Sequence, residues 1–598
     1  MTQARALRSL DFWIVLGVAL LVRLAYFFLN SRTNPAFDFL IMDSMHIDAW
    51  AKAIAAGHAG DAVYFRGPLV PYLLALVYKA GGGVAGAVFV NHLAGAFTCA
   101  LVWLLAREYF ARAVALTAGL GAALYWPAIY FEGEVLIEPV YVALVVLSLW
   151  RLARAIARPT TARLLVAGVC VGLAALARPT ILALLPAIPF AFSARTAAPS
   201  TPPKRAWLRP SLLVAAACAL VLLPTAIRNY TVGKALVPVT WSGGLNFYIG
   251  NNPDSDGRSA MIPGAATPWM GGDDEALAIA RAQAGDSTLT AAAASRFYAR
   301  RGVGYLATQP RDAASLVAKK FYMFWEGPER SNEKYIYFFW DRFGLGRVPM
   351  PGFWLVSPLA LAGMIRLWPR RRELALLYLF VVAYTIGVVA FFVVARYRLP
   401  VAPVLIVFAA WTAVELTSMV RARRWRAAMS PLALVAALFV AVNASYPEFI
   451  ERRPSHIAIS HYTLAGAYSD RGDEEGALVE LWHARAAYER APSRYYGEIG
   501  QDIYFKLGTL LYQRGKCAEA IKALGEIQPH NPRAHEARFM FAECCEKTGR
   551  FPEAGKAYEI VLKTDPANER ALRGYIRCLE AVGRWDDAAD ARKRLPAE

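Results

Sequence analysis

The chain has 598 residues, 57% of them hydrophobic, and a formal net charge of +19. A soluble protein this basic would point to nucleic acid, but the excess lies in short loops beside long apolar runs, and the last ~150 residues are nearly charge-balanced. With a mean hydropathy of +0.33, that placement excludes a soluble nucleic-acid binder and describes a polytopic membrane protein with a soluble C-terminal part.

The first apolar run covers residues 11–29. Arg23 interrupts it and no small-x-small cleavage site follows, so it reads as an uncleaved span. Residues 30–68 form a loop, and the apolar stretch 68–81 is short enough to be an interfacial or re-entrant helix. Further spans are predicted near 84–106, 113–131, 136–153, 163–177, 180–194 and 209–227. A polar segment rich in Gly and aromatics, 228–350, precedes four more near 351–367, 373–395, 400–419 and 428–445. The total is about eleven.

Basic clusters fall between alternate spans: Arg107/Arg112, Arg151 to Arg163, Arg195 to Arg209, Arg366 to Arg372 and Arg421 to Arg426. The positive-inside rule makes these loops and the N-terminus (Arg5, Arg8) cytoplasmic. Parity then places 228–350 and the C-terminus outside. Arg66, Arg178, Arg228, Arg396 and Arg398 remain on the outer side against that rule.

From about 458 the chain changes to amphipathic helices with a repeat. Gly515, Gly549 and Gly583 are 34 residues apart, as are Ala520 and Ala554, and Pro532 and Pro566. That register matches tetratricopeptide repeats, with a less regular unit around Tyr468, Gly472 and Ala477. Such arrays bind protein partners along a concave face, or here brace the membrane domain. The expected division is 1–447 and 448–598. Among seven cysteines, Cys517, Cys544, Cys545 and Cys578 lie in this second part without metal or redox CxxC spacing.

Candidate chemistry gathers in the outer loops. If the segment 37–50 is a helix at the membrane surface, Asp43, His46 and Trp50 share a face, and Asp48 precedes Lys52 by four residues and can pair with it. Asp43 has no such local partner; it either caps a helix N-terminus or is functional. Glu132, Glu134 and Glu138 stand together at a predicted membrane edge; Glu138, before Pro139, could simply start the next span, while Glu132 and Glu134 could bind a metal, hold an arginine or face water. Guanidinium is always charged and grips phosphate through parallel bonds, so several off-rule arginines on one side favour an anion pocket over pairing with Asp43 or the glutamates. The turn-rich segment 241–253, with Asn246, Tyr248 and Asn251, offers flat rings and amides suited to a sugar.

These motifs together resemble one family. Arg66-Gly67-Pro68-Leu69-Val70-Pro71-Tyr72, Gly133-Glu134-Val135-Leu136-Ile137-Glu138-Pro139, Leu176-Ala177-Arg178-Pro179, Arg228-Asn229-Tyr230, the 243–253 segment and Arg396-Tyr397-Arg398-Leu399-Pro400 follow the acidic first loop in order. The chain is similar in these to GT-C membrane glycosyltransferases of the dolichyl-phosphate-mannose mannosyltransferase type, in the bacterial branch with C-terminal tetratricopeptide repeats.

The resemblance implies an all-α membrane fold with an α-solenoid behind it. It also implies a polyprenyl-phosphate-linked sugar as donor, and a protein, lipid or glycan as acceptor. Asp43 falls on the family's catalytic base, and Arg66 on the residue that contacts the donor phosphate. Arg178, Arg228, Arg396 and Arg398 are further phosphate candidates. His46, Asp48, Glu132, Glu134, Asn246, Tyr248 and Asn251 are substrate-binding candidates. Ser44 stands where the family often has a second acid, and His46 where an aromatic is common, so acceptor choice and any divalent-metal requirement stay open. No cofactor is expected with certainty. The expected location is a bacterial inner membrane, N-terminus cytoplasmic and repeats outside. The competing readings are a non-enzymatic polyprenyl-phosphate carrier or flippase, which gives Asp43 no particular task, and an envelope scaffold, for which about eleven spans and several off-rule arginines are more than anchoring needs.

Overall fold

The computed structural model describes residues 9–595 apart from 59, 197–206, 259–261, 264–271, 332–333, 447–448, 450–452 and 491–496. The N-terminal Arg5 and Arg8, and most of the 195–209 basic cluster, therefore lie outside the described residues. Every described element is helical. The chain divides into two compact units, Met1–Pro447 and Glu448–Glu598.

In the first unit α1 (Leu10–Thr33), α2 (Met42–Ala55), α3 (Leu69–Lys79), α4 (Gly83–Tyr109), α5 (Arg112–Ala123), α6 (Trp126–Glu132), α7 (Glu138–Ala157) and α8 (Thr161–Ala177) follow in order. A 3-10 stretch, Pro179–Ala187, then runs into α9 (Ile188–Thr196) and is followed by α10 (Leu208–Gly233). The polar segment folds as α11 (Gly243–Gly250), α12 (Gly272–Ala284), α13 (Ala291–Thr308), α14 (Pro310–Trp325) and α15 (Ile336–Phe343). The unit ends with α16 (Phe353–Arg366), α17 (Ala375–Val389), the single turn α18 (Ala395–Arg398), α19 (Ala402–Arg421) and α20 (Trp425–Asn443).

Six of these, α1, α4, α7, α10, α19 and α20, are long and apolar enough to cross a membrane, and α5 with α6 makes a seventh bent by 45°. This is a multi-pass membrane protein. About eleven spans are expected from the sequence; the remaining ones fall on shorter helices. α8, Pro179–Ala194, α16 and α17 coincide with predicted spans but are shorter apolar helices, as is the interfacial candidate α3.

Proline sets the boundary between two of these helices. Arg178 precedes Pro179, whose ring disfavours helical backbone there, and it adopts φ −155°, ψ 120°. The apolar run 163–194 therefore breaks, and the break carries a guanidinium.

The second unit is four helical hairpins: α21 (Arg453–Asp470) with α22 (Glu474–Arg490), α23 (Gly497–Gln513) with α24 (Cys517–Leu524), α25 (Ala534–Lys547) with α26 (Phe551–Thr564), and α27 (Glu569–Ala581) with α28 (Trp585–Arg592). Gly472, Gly515, Gly549 and Gly583 turn each hairpin at φ +73°, +70°, +76° and +79°, a region where a Cβ is strained. That is why glycine recurs. Ala477, Ala520, Ala554 and Ala588 are buried where the paired helices meet and leave no room for a larger side chain.

Candidate active site

The site begins with a strained residue. Met42 has φ +53°, left-handed for a side chain that disfavours it, and the next residue, Asp43, enters α2. Its carboxylate does not cap the helix: the N-cap residue is Ile41, without a side-chain bond. Oδ1 of Asp43 accepts from Arg66 Nη2 at 2.8 Å and Nε at 3.2 Å, and Oδ2 accepts from Arg396 Nη2 at 2.6 Å. The partners come from residues 23 and 353 positions away in sequence.

Arg66 reaches the site because Gly67 lets the chain press against the end of α8. A Cβ at Gly67 would lie 2.0 Å from the Ala177 carbonyl oxygen. Arg178, on the proline break that follows, donates to Glu138 Oε1 at 2.6 Å and lies over the Tyr397 ring at 4.2 Å. Arg396, on α18, also stands 3.9 Å from Glu138 Oε1 through its Nε. The result is one chain of alternating charge: Arg66, Asp43, Arg396, Glu138, Arg178.

This chain lines a cavity of about 490 Å³, walled also by His46, Thr180, Asn246, Glu275, Tyr384, Phe391 and Tyr397. Arg396 and Glu138 are nearly buried, at 5% and 2% side-chain exposure, whereas Asp43 keeps 28% and Arg66 21%. Asp43, Arg66 and Arg178, the last at 25%, are thus the members a ligand can touch. Burial raises the Asp43 carboxyl, but the Arg396 and Arg66 guanidiniums outweigh it and hold it below the usual carboxylate range. Burial, then the Arg66 charge, push the His46 imidazole down, favouring its neutral form.

The cavity gathers Asp43, His46, Arg66, Arg178, Asn246 and Arg396 from the predicted set. It does not include the others. Asp48 accepts from Tyr78 at 2.7 Å and pairs with Lys52 at 2.8 Å. Glu132 is locked between Arg23 at 2.8 Å and His92 at 3.2 Å. Glu134 pairs with Lys334 at 2.9 Å.

Arg228 donates to the Ala62 and Gly60 carbonyls, both at 2.7 Å, under the Tyr64 ring. Arg398 binds Glu329 and the Pro328 carbonyl. Tyr248 stacks on Tyr298, and Asn251 ties Phe247 to Ala390. Several arginines therefore do pair with acids, and the pocket is built from such pairs.

Sequence reasoning missed Glu275, which opens α12 in an Asp273-Asp274-Glu275 run. It also missed Lys320, fully buried and donating to Gly250 O, Asn251 Oδ1 and Phe391 O at 3.0, 3.0 and 2.9 Å. The acidic run was a signal at a helix start; Lys320 had none. Among the described residues no cluster of His, Cys, Asp and Glu suits a metal ion.

The first unit is thus a polytopic helical bundle with an acid held between arginines on the wall of a cavity. Residues 65–227 match the family model of dolichyl-phosphate-mannose-protein mannosyltransferases, and residues 505–569 and 546–597 match that of tetratricopeptide repeats. The resemblance carried by the short motifs is thereby borne out, and the family match supports a membrane glycosyltransferase of the GT-C type.

No curated protein matches the chain. Among solved structures, MamA AMB-1 is 22% identical over 30% of this chain and 92% of its own, with a TM-score of 0.19. The archaeal oligosaccharyltransferase AglB from Archaeoglobus fulgidus, solved with an inhibitory peptide and a dolichol-phosphate, is 15% identical over 79% of this chain and 59% of its own, TM-score 0.43. The apo form of the A. fulgidus oligosaccharyltransferase is 14% identical over 89% and 59%, TM-score 0.43.

Proposed function

We propose that the protein is an inverting glycosyltransferase that moves a sugar from a polyprenyl-phosphate donor to an acceptor hydroxyl on the outer face of a bacterial inner membrane. The observation that carries this reading is the Asp43 carboxylate clamped by Arg66 and Arg396 on the cavity wall.

So clamped, Asp43 is a weak base. A donor phosphate entering the cavity competes for the same two guanidiniums, which prefer a second, bidentate anion. Freed from them, and with their charge neutralised by phosphate, Asp43 regains proton affinity beside the sugar. It then takes the acceptor hydroxyl proton as that oxygen attacks the anomeric carbon. The bond from the anomeric carbon to the phosphate-ester oxygen breaks on the opposite side, and its electron pair leaves with the polyprenyl phosphate, stabilised by Arg66 and Arg396. One displacement inverts the anomeric centre. Glu138, held by Arg178, keeps Arg396 in place, while His46, Asn246 and Glu275 line the space available to sugar and acceptor.

The N-terminus would be cytoplasmic and the repeat domain extracytoplasmic, available to a protein partner. The test is purified protein in lipid with labelled polyprenyl-phosphate sugars and envelope extract as acceptor, beside Asp43→Asn. Transfer by the wild type, falling about 10²–10⁴-fold in the variant, supports the base. Full activity in Asp43→Asn refutes it. Donor bound by both and transferred by neither favours a polyprenyl-phosphate carrier.

A further inference from the structure

Four cysteines lie buried in the repeat unit, and two of them meet. Cys517 opens α24, the second helix of one hairpin, and Cys544 lies in α25, the first helix of the next. Their sulfurs are 2.8 Å apart, and their residues are 6% and 0% exposed. A covalent bond would bring the sulfurs to about 2.05 Å, a movement of less than an ångström.

We propose that Cys517 and Cys544 are a disulfide site that cross-links successive repeats in an oxidising environment. The pair is particular to one junction. Cys578 stands 34 residues after Cys544 in the equivalent helix position, but the equivalent of Cys517 is Phe551. A single bond there fixes how α24 packs on α25 and so the pitch of the array at its middle. The proposal rests, for the cell, on the outer placement of the repeats, because cytosolic thiols stay reduced.

The chemistry balances with a disulfide of the glutathione class as oxidant. The Cys517 thiolate attacks one of its sulfurs and releases one thiolate. The Cys544 thiolate then attacks Cys517 in the mixed disulfide and releases the second. Two protein thiols give up two protons and two electrons, and the oxidant becomes two thiols. Burial, and then the neighbouring Cys517, push the Cys544 thiol up, so exchange requires the junction to open. Once closed, the bond is shielded from reductants.

The experiment uses the full chain in lipid, in a urea concentration at which N-ethylmaleimide labels both cysteines, so that access is established. Oxidised glutathione is added, urea removed, the remaining thiols alkylated in denaturing detergent, and the protein digested without reduction. The expected result is a peptide containing Cys517 linked to the one containing Cys544, with five of the seven cysteines alkylated. The link should survive Cys545→Ser and vanish in Cys544→Ser. Cys517 and Cys544 recovered as separate alkylated or glutathione-modified peptides overturn the proposal, as does a link that needs Cys545. A parallel sample alkylated directly in cells separates the two readings. Linked in both, site and outer placement stand; linked only with added oxidant, the site stands and the outer placement falls.

Discussion

Asp43→Asn should bind the donor phosphate more tightly than the wild type while losing turnover. In the ligand-free cavity both guanidiniums are engaged by Asp43, at 2.8 and 2.6 Å, and a phosphate must displace the carboxylate before it gains them. A charge-assisted hydrogen bond contributes about 1.5–3 kcal/mol. Asp43 is 28% exposed, so solvent screening reduces the two bonds it makes to about half that strength, and they are partly replaced on its release. A residual competition of about 1–2 kcal/mol follows, or about 5–30-fold in Kd. Asparagine keeps the shape, removes the charge and cannot compete on those terms. The assay is equilibrium binding of a non-transferable polyprenyl-phosphate analogue to both proteins in lipid, with a salt series. Unchanged or weaker binding by Asp43→Asn would refute the competition and leave Asp43 as a structural counter-ion.

Arg66→Lys keeps the charge but loses the fork that reaches Asp43 through both Nε and Nη2; transfer should fall about 10²–10³-fold with the thermal midpoint little changed. Gly67→Ala places a Cβ against the Ala177 carbonyl, so the 66–68 segment must shift, and both donor binding and thermal stability should fall; wild-type values would disprove the contact. Glu132→Ala leaves the buried Arg23 and His92 without their partner and should destabilise the membrane unit by about 3–5 kcal/mol, read in unfolding, with donor affinity unchanged in the surviving folded protein. Burial depresses the Lys320 ammonium from its ordinary value to about 8. Between pH 8 and about 10.5 the unfolded chain binds the extra proton, so stability contributed by this group rises as pH climbs through that window; the wild-type midpoint should gain on Lys320→Met there, and parallel pH curves would show the shift absent.

The repeat unit was the most legible part, because its signal is local. Glycine at +70° to +79° and alanine at a helix crossing are demanded by a hairpin built from adjacent residues, so the 34-residue period carries the geometry with it. The helix bearing Asp43 and His46 was legible for the same reason, as was the pairing of Asp48 with Lys52 one turn later. Apolar runs located the membrane helices, but length along the sequence does not say where backbone breaks. Pro179 marks the break between two predicted spans, whereas the 45° bend between α5 and α6 within one predicted span had no such signal.

The sequence by itself determined a basic, polytopic helical protein with a repeat domain, and a short roster of arginines and acids worth asking about. Charge counting could not sort that roster, since Arg66, Arg228, Arg396 and Arg398 look alike as off-rule residues. Only tertiary structure decided that Arg228 belongs to backbone carbonyls and Arg398 to Glu329, while Arg396, 353 positions from Asp43, closes on its carboxylate. Ion pairs fall off within a few ångströms and are indifferent to sequence separation. Which acid a guanidinium neutralises is therefore settled by the packing that brings the elements together.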